Sequence, residues 1–361
     1  GEASTATVAD EVHRVEPVSA GDKYAEPGPT SGVPMTYSAS ESPAAQSAAS
    51  LGIQAALLSG DPGMAYGLIS ELMADGVSFD RVLFEVLAPL QRDVGTRWLR
   101  ADYRIAEEHA ASAAVETVVA LLAGAFDMPD DGLHVVVACA EGDDHSLPAR
   151  MVAAYLTYLG WRVTFLGGTL PSRDLGAYLA DEQPAVLLLS CSATANLTGA
   201  RACVRVAHDA GVPVVVGGRA FGPGPDRARA VGADSWISDP TAIEEIADTG
   251  WDIAAAEENA NASEEPPSLH EAVPAIVEAA IASSPLDVSV SSARDDLRLL
   301  GETLAAAVLV DDASVLSEVV EWQEQRHRHQ DDVLSSEDLV ARFAAQLPSS
   351  APRAKEMLAA I

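Results

Sequence analysis

Residues 133–148, LHVVVACAEGDDHSLP, decide the fold of the central part of the chain. The segment 133–140 is almost continuously apolar and rich in valine, which is typical of a strand buried on both faces of a parallel sheet. A loop with two aspartates and a histidine follows, and Pro148 suits the first turn of the helix that comes next. The sequence therefore predicts that His145 lies at the carboxyl end of a parallel strand, where a large ligand can dock.

The alternation of short apolar runs with helical stretches continues along the chain. Predicted strands are 133–140, 162–166, 185–190, 212–217 and 235–238, and predicted helices are 148–159, 171–182, 197–210 and 224–231. These βα units predict an α/β domain over residues 129–250, with a five-stranded parallel sheet of the flavodoxin-like (Rossmann-like) kind. No Gly-x-Gly-x-x-Gly follows the first strand, so a dinucleotide site is the weaker alternative.

All-helical segments flank this domain. Upstream, apolar residues at helical spacing over 44–59, 62–75, 79–99 and 104–126 predict a four-helix bundle, taken as residues 44–128. Trp98 ends the apolar stripe of the third helix and Glu108 heads that of the fourth, so we expect both at one end of adjacent helices. Downstream, residues 269–361 predict a C-terminal helical domain. A disordered arm over 1–43 and an acidic linker over 251–268 complete the predicted organisation.

Composition limits the classes of partner. The net charge of −32, with Lys23 and Lys355 as the two lysines, argues against direct nucleic-acid binding, because phosphate contacts need clustered basic residues. Three cysteines, Cys139, Cys191 and Cys203, lack the spacing of a zinc site and are expected to be small buried side chains in a reducing compartment. No apolar run reaches membrane-spanning length, and no leader pattern is present. The sequence predicts a cytoplasmic protein without a membrane partner.

Three loops at the carboxyl edge of the predicted sheet carry a resemblance. The segments 141–148, Ser190-Cys191-Ser192 and Val216-Gly217-Gly218 resemble the three-loop pattern of cobalamin-binding domains. The resemblance implies that His145 replaces the cofactor's own base as the lower cobalt ligand. It also implies a slot for the displaced nucleotide tail, and the residues assigned to that slot are Ser190, Ser192, Thr194, Gly217 and Gly218.

The chemistry of these residue types agrees with such a site. An imidazole that binds a metal through one nitrogen needs an acceptor for the other, and Asp143 offers a carboxylate two residues away. Small residues after strands let the backbone approach a planar ligand closely. Pro148 departs from the family pattern, where glycine is usual, and we expect it to reshape the loop without removing the ligand.

A second resemblance lies in the bundle. Trp98 followed by Glu108-His109 resembles the motif of light-sensing cobalamin proteins of the CarH type, whose bundle covers the upper face of adenosylcobalamin. This implies that Trp98 packs against the adenosyl group, that Glu108 bonds its ribose and that His109 lies beside it. Leu99 stands where these repressors have a histidine that captures cobalt after photolysis, so that adduct is not expected here.

The expected function is therefore light-sensing signalling by a protein that is not an enzyme. A homo-oligomer, taken as a dimer, and an unidentified signalling partner are expected. Residues 1–43 are too short, acidic and irregular for the DNA-binding head of the repressors, so no direct nucleic-acid partner is predicted. Two alternatives remain: a corrinoid carrier subunit of a methyltransferase or mutase system, and a light-independent sensor of cobalamin level.

The C-terminal region adds one further expectation. The segment Trp322-Gln323-Glu324-Gln325-Arg326-His327-Arg328-His329 concentrates cationic and titratable residues in an acidic chain. It is either a solvated helix face or a site for the propionates of a second chromophore. The whole arrangement resembles the photocobilins, which implies a non-covalently held bilin, biliverdin or another, beside the cobalamin.

Overall fold

Helices form the first part of the chain that the structure describes. The computed structural model describes residues 43–127, 129, 132–249 and 265–361. The bundle helices are α1 (Pro43–Leu58), α2 (Pro62–Ala74), α3 (Phe79–Arg81), a π-helical turn (Val82–Leu87), α4 (Ala88–Leu99) and α5 (Ile105–Ala123). The four predicted helices are present, and the third is a composite of α3, the π-helical turn and α4. The predicted arm 1–43, apart from Pro43, lies outside the described residues.

The central domain is a five-stranded sheet with the order β2-β1-β3-β4-β5, and all of its pairs are parallel. Its strands are β1 (His134–Cys139), β2 (Arg162–Gly167), β3 (Val186–Ser190), β4 (Val214–Gly217) and β5 (Ser235–Ile237). Its helices are α6 (Ser146–Tyr158), α7 (Ser172–Glu182), α8 (Leu197–Asp209), α9 (Asp226–Val231) and α10 (Ile243–Thr249). The predicted α/β architecture is confirmed.

The register of the central strands decides which loops meet. Cys139 of β1 pairs with Ser190 of β3, and Ser190 pairs in turn with Gly217 of β4. The three strands therefore end at the same level, which brings the loops after β1, β3 and β4 to one edge of the sheet.

The composite third helix has a local cause. Pro89 has no N–H to donate to the carbonyl four residues back, and its ring crowds that carbonyl. The helix widens just before it, since the Ala88 N–H donates to the Leu83 carbonyl, five residues back. Phe84 in this widened turn meets Tyr155 of α6 edge-on, with ring centroids 5.6 Å apart. The bundle is thus attached to the helix that follows the His145 loop.

Two hydrophobic layers cover the sheet. On one face, bundle residues such as Ile53 and Val118 share a core with Leu156 and Leu188 of the central domain. On the other face, Val136 belongs to a core that also includes Ala306 from the C-terminal helical region. The sheet is therefore covered on both sides, as its apolar strands require.

The C-terminal helical region consists of α11 (Glu265–Ala282), α12 (Val290–Val310), α13 (Ser314–His329), α14 (Ser336–Ala344) and α15 (Pro352–Leu358). Residues 265–268, the end of the predicted linker, already belong to α11, and residues 251–264 lie outside the described residues. The region packs on the central domain, since Ser47–Ile361 form one compact unit. Among the described helices, none combines the length and the apolar character needed to cross a lipid bilayer.

Candidate functional site

A buried aspartate organises the loop between β1 and α6. Asp143 is 0 % exposed, and its carboxylate accepts three hydrogen bonds. Oδ1 accepts from the His145 ring Nδ1 at 2.7 Å and from the His145 backbone N–H at 3.1 Å, and Oδ2 accepts from the Ser192 backbone N–H at 2.5 Å. Charge-assisted bonds of this kind offset the cost of burying a carboxylate. They also join the loop after β1 to the loop after β3.

The same contacts fix the histidine. Because Nδ1 donates to Asp143, Nε2 carries the lone pair in the neutral ring and is the nitrogen available to a ligand. The bond to Asp143 raises the pKa of His145 above its ordinary value, while burial opposes this. The His145 side chain is 53 % exposed, so a ligand can reach it.

The donor set indicates what kind of metal centre would fit. Asp143, Asp144 and His145 place their ligand atoms within 4.8 Å of one another. Asp143 Oδ1 and His145 Nδ1, however, are engaged with each other, which leaves His145 Nε2 as the aimed donor. A bare cation needs several protein ligands. One imidazole suits the axial position of a metal that is already held in a macrocycle.

The glycine loop after β4 lies against the serine loop. Gly218 has a φ of +105°, and a Cβ built on it would lie 2.4 Å from the Cys191 carbonyl oxygen. Arg219 Nε donates to the Ser192 carbonyl at 2.9 Å, which ties the two loops together. Only glycine permits this backbone conformation and this approach without strain. The predicted slot residues Ser190, Ser192, Gly217 and Gly218 are therefore neighbours at one edge of the sheet.

Thr194, the remaining predicted slot residue, begins a short 3-10 turn, Thr194–Asn196, which follows the serine loop. This turn packs against α12 of the C-terminal helical region. The sequence did not predict that contact, because the two segments lie far apart along the chain.

A polar stripe runs along α5 toward the His145 loop. Glu116 Oε1 accepts from the hydroxyl of Ser146, the residue after His145, at 2.9 Å. Glu108 Oε1 accepts from Ser112 Oγ at 2.7 Å, and Ser112 Oγ accepts from Gln91 Nε2 of α4 at 2.6 Å. Glu108, Ser112 and Glu116 recur every four residues, so they share one helix face over about 12 Å.

Two residues next to this stripe, His109 and Gln91, also bear on ligand binding. His109 donates from Nδ1 to Glu108 Oε2 at 2.5 Å, and its side chain is 72 % exposed. Gln91 Oε1 is buried without a hydrogen-bond partner, which is costly for an acceptor unless a ligand supplies a donor. Sequence reasoning singled out Glu108 and His109 but missed Gln91, Ser112 and Glu116, whose spacing is ordinary for helices.

Trp98 has neighbours that the sequence did not predict. Its ring lies 6.0 Å from that of Trp322 on α13, and the Arg326 guanidinium lies 6.0 Å from its centroid. Its carbonyl accepts from Gln330 Nε2 at 3.3 Å. The structure therefore places Trp98 at the joint between the bundle and the C-terminal helical region.

Comparison with known families agrees with this geometry. Residues 133–247 match the B12 binding domain family, and residues 52–123 match a second family that is also described as a B12 binding domain. The fold and the site together define a B12-binding protein, and the predicted cobalamin domain is confirmed.

Two curated relatives are similar to part of the chain. The chain is 35 % identical over 139 residues to the HTH-type transcriptional repressor CarH of Myxococcus xanthus, which is 38 % of this chain and 46 % of that protein. It is 32 % identical over 104 residues to the repressor CarA of the same organism, which is 29 % of this chain and 34 % of that protein. Both matches are partial, because the chain spans less than half the length of either relative.

Among solved structures, the chain is similar to the monomethylamine corrinoid protein of Methanosarcina barkeri. The TM-score is 0.46 at 18 % identity, over 54 % of this chain and 94 % of that one. A likeness this distant supports no inference about function.

Replacing Gly218 by alanine tests the close approach of the two loops. We expect Gly218→Ala to lower the thermal unfolding midpoint and to weaken cobalamin binding, because the new Cβ collides with the Cys191 carbonyl. Gly211→Ala is the matched control, since Gly211 also has positive φ (+75°) but has no atom within 4 Å of a built Cβ. It carries only the left-handed strain of roughly 1–2 kcal/mol. Equal cobalamin affinity in both variants would contradict the assignment of this loop.

Proposed function

We propose that the protein is a light-sensing signalling module that binds adenosylcobalamin with the cofactor's own base displaced and His145 as the lower ligand. The observation that carries the proposal is the Asp143–His145 pair, which leaves one aimed nitrogen at the carboxyl edge of the sheet. The similarity of part of the chain to a CarH repressor supports adenosylcobalamin as the form that is bound.

The lower face is assigned to the central domain. Asp143 orients His145 and stabilises the tautomer that presents Nε2. The slot formed by Ser190, Ser192, Thr194, Gly217 and Gly218 receives the displaced nucleotide tail, because small residues leave room for it beside the backbone.

The upper face is assigned to the bundle. The polar stripe on α5 runs from Glu116, which is bonded to the His145 loop, to Glu108. The helix face that carries the stripe is therefore attached to the loop of the proposed lower ligand. Glu108 accepts from the ribose hydroxyls of the adenosyl group, with His109 beside it, and Trp98 encloses the adenosyl group. The unpaired Gln91 Oε1 supports a ligand donor near this stripe.

When bound, adenosylcobalamin supplies a cobalt–carbon bond that light cleaves. Once the adenosyl group has left, Glu108 and Trp98 lose their ligand contacts, and the bundle repacks against the central domain. This change in the chain shifts a dimerisation equilibrium or the affinity for a signalling partner. Leu99 offers no cobalt ligand, so the lit state is not trapped through that position.

The alternatives differ in what they require. A corrinoid carrier of a methyltransferase or mutase system would present its upper face to an enzyme, and a cobalamin-level sensor would respond without light. Both curated relatives are described as transcriptional repressors, which supports a protein that is not an enzyme. Because both relatives are described as HTH-type transcriptional repressors, they give no support to the expectation that this chain has no nucleic-acid partner.

A bilin as second chromophore would be bound by the predicted segment 322–329. Within the predicted segment, Arg326 is engaged with the buried carboxylate of Asp296 at 2.8 Å. His327, Arg328 and His329 are exposed on α13 and are the side chains of this segment that remain to donate hydrogen bonds to propionates. A red absorption band after loading with biliverdin would show that a bilin binds.

Absorption spectra of the adenosylcobalamin-loaded chain test the proposal directly. We expect the spectrum of displaced-base, histidine-bound cobalamin in the dark and a change after green light. His145→Ala removes the lower ligand and shifts the dark spectrum, whereas His270→Ala, an exposed histidine of α11, leaves it unchanged. A corrin spectrum that light does not change would contradict the sensing function. A dark spectrum that His145→Ala does not change would contradict the assignment of His145 as the lower ligand.

The upper-face assignment has its own test. Glu108→Ala removes a charge-assisted acceptor and should weaken adenosylcobalamin binding roughly tenfold or more. Hydroxocobalamin lacks the adenosyl group and its ribose, so its affinity should change little. Glu71→Ala, an exposed carboxylate on α2, is the control and should change neither constant. Equal weakening for both cobalamins would place Glu108 outside the upper-ligand site.

A further inference from the structure

We propose that α13 of the C-terminal helical region positions Trp98 and so belongs to the upper-ligand site. The inference rests on the proposed function for the role of Trp98. It adds that Trp322 and Arg326, more than 220 residues away along the chain, help to set the preference for an adenosyl group. The C-terminal region then senses whether that group is present.

The beginning of α13 is anchored to the lower-face loops. Arg227 of α9 is only 7 % exposed, and it donates to Asp312 at 2.9 Å, Ser314 at 3.0 Å and Glu318 at 2.6 Å. Its Nη1 also donates to the Ala220 carbonyl at 3.1 Å. Ala220 follows the glycine loop, and its N–H bonds the Cys191 carbonyl. The first turns of α13 are therefore fixed to the predicted tail slot.

The end of α13 is anchored to the bundle. Trp322 and Arg326 lie against the Trp98 indole, and the Arg326 guanidinium also lies 4.8 Å from the Trp322 ring centroid. Arg326 is itself held, since Nη1 donates to Asp296, which is 2 % exposed, and to Gln323. Because the Arg326 guanidinium is held in place, its cation–π contacts with the two indoles limit where the Trp98 ring can move.

The two anchors differ in strength. Arg227, itself buried, makes charge-assisted bonds to the partly exposed carboxylates of Asp312 and Glu318, and such bonds are the strong kind. Trp98 is held by ring contacts near 6 Å and by one hydrogen bond of 3.3 Å. Gln323 Nε2, beside Arg326, is buried without a partner, so the polar groups at this joint are not fully satisfied. A change at Trp98 therefore loosens the contact between α4 and the end of α13, while Arg326 keeps that end bound to Asp296 of α12.

Affinities for two cobalamins in the dark test this role. We expect Trp322→Ala to weaken adenosylcobalamin binding roughly three- to tenfold, by the loss of an aromatic contact, and to leave hydroxocobalamin within twofold. Trp322→Phe should restore most of the adenosylcobalamin affinity. Glu324→Ala, exposed on the same helix, is the control. Equal weakening for both cobalamins, or no weakening, would overturn the proposal, because a merely structural role affects both alike.

Hydrogen exchange of the cofactor-free chain keeps this test separate from the proposed function. If α13 positions Trp98, Trp322→Ala raises amide exchange in the last turn of α4 and leaves β1 unchanged. Unchanged exchange in α4 overturns the positioning role even if the cofactor assignment holds. If wild-type protein binds neither cobalamin while the exchange effect is present, the proposed function fails and the α13–Trp98 joint stands.

Discussion

The buried carboxylate of Asp143 is the interaction on which the rest of the site depends. It holds the imidazole of His145 on one oxygen and the backbone of Ser192 on the other. One side chain thus sets the direction of the His145 imidazole and the separation of two loops. A carboxylate buried this completely is tolerable only while all of these donors remain in place, so the loops after β1 and β3 are constrained as a pair.

From this centre the structure extends in two directions. Through Ser146 and Glu116, the His145 loop is joined to α5 and its polar stripe, which links the sheet edge to the bundle. Through Ser192 and Arg219, it is joined to the glycine loop, and from Ala220 to Arg227 and α13. The first route leads along α5 to Glu108, and the second leads along α13 to Trp98. The two routes join the residues of the proposed upper-ligand site to the His145 loop and to the C-terminal helical region.

Sequence patterns predicted the parts of this arrangement that are local. The apolar strands and the periodic helices identified the sheet and the bundle, and the resemblance of the Asp143–His145 loop to cobalamin-binding domains indicated the lower ligand that we propose. The serine and glycine loops could be placed together because parallel strands end at one edge. Glu116 and Gln91 could not be recognised, since a single polar residue on a helix has no signature until its partner is known. The contact between Trp98 and Trp322 depends on how whole helices pack, which periodicity does not encode.

The central claim is that His145 binds cobalt, and electron paramagnetic resonance of the cobalt(II) form of cobalamin bound to the protein measures it most directly. The axial nitrogen splits the cobalt signal into triplets when it is nitrogen-14 and into doublets when it is nitrogen-15. With histidine-specific nitrogen-15 labelling of the protein, the account predicts doublets. Triplets that persist in the labelled protein would show that the cofactor's own base remains bound, and that result would contradict the account.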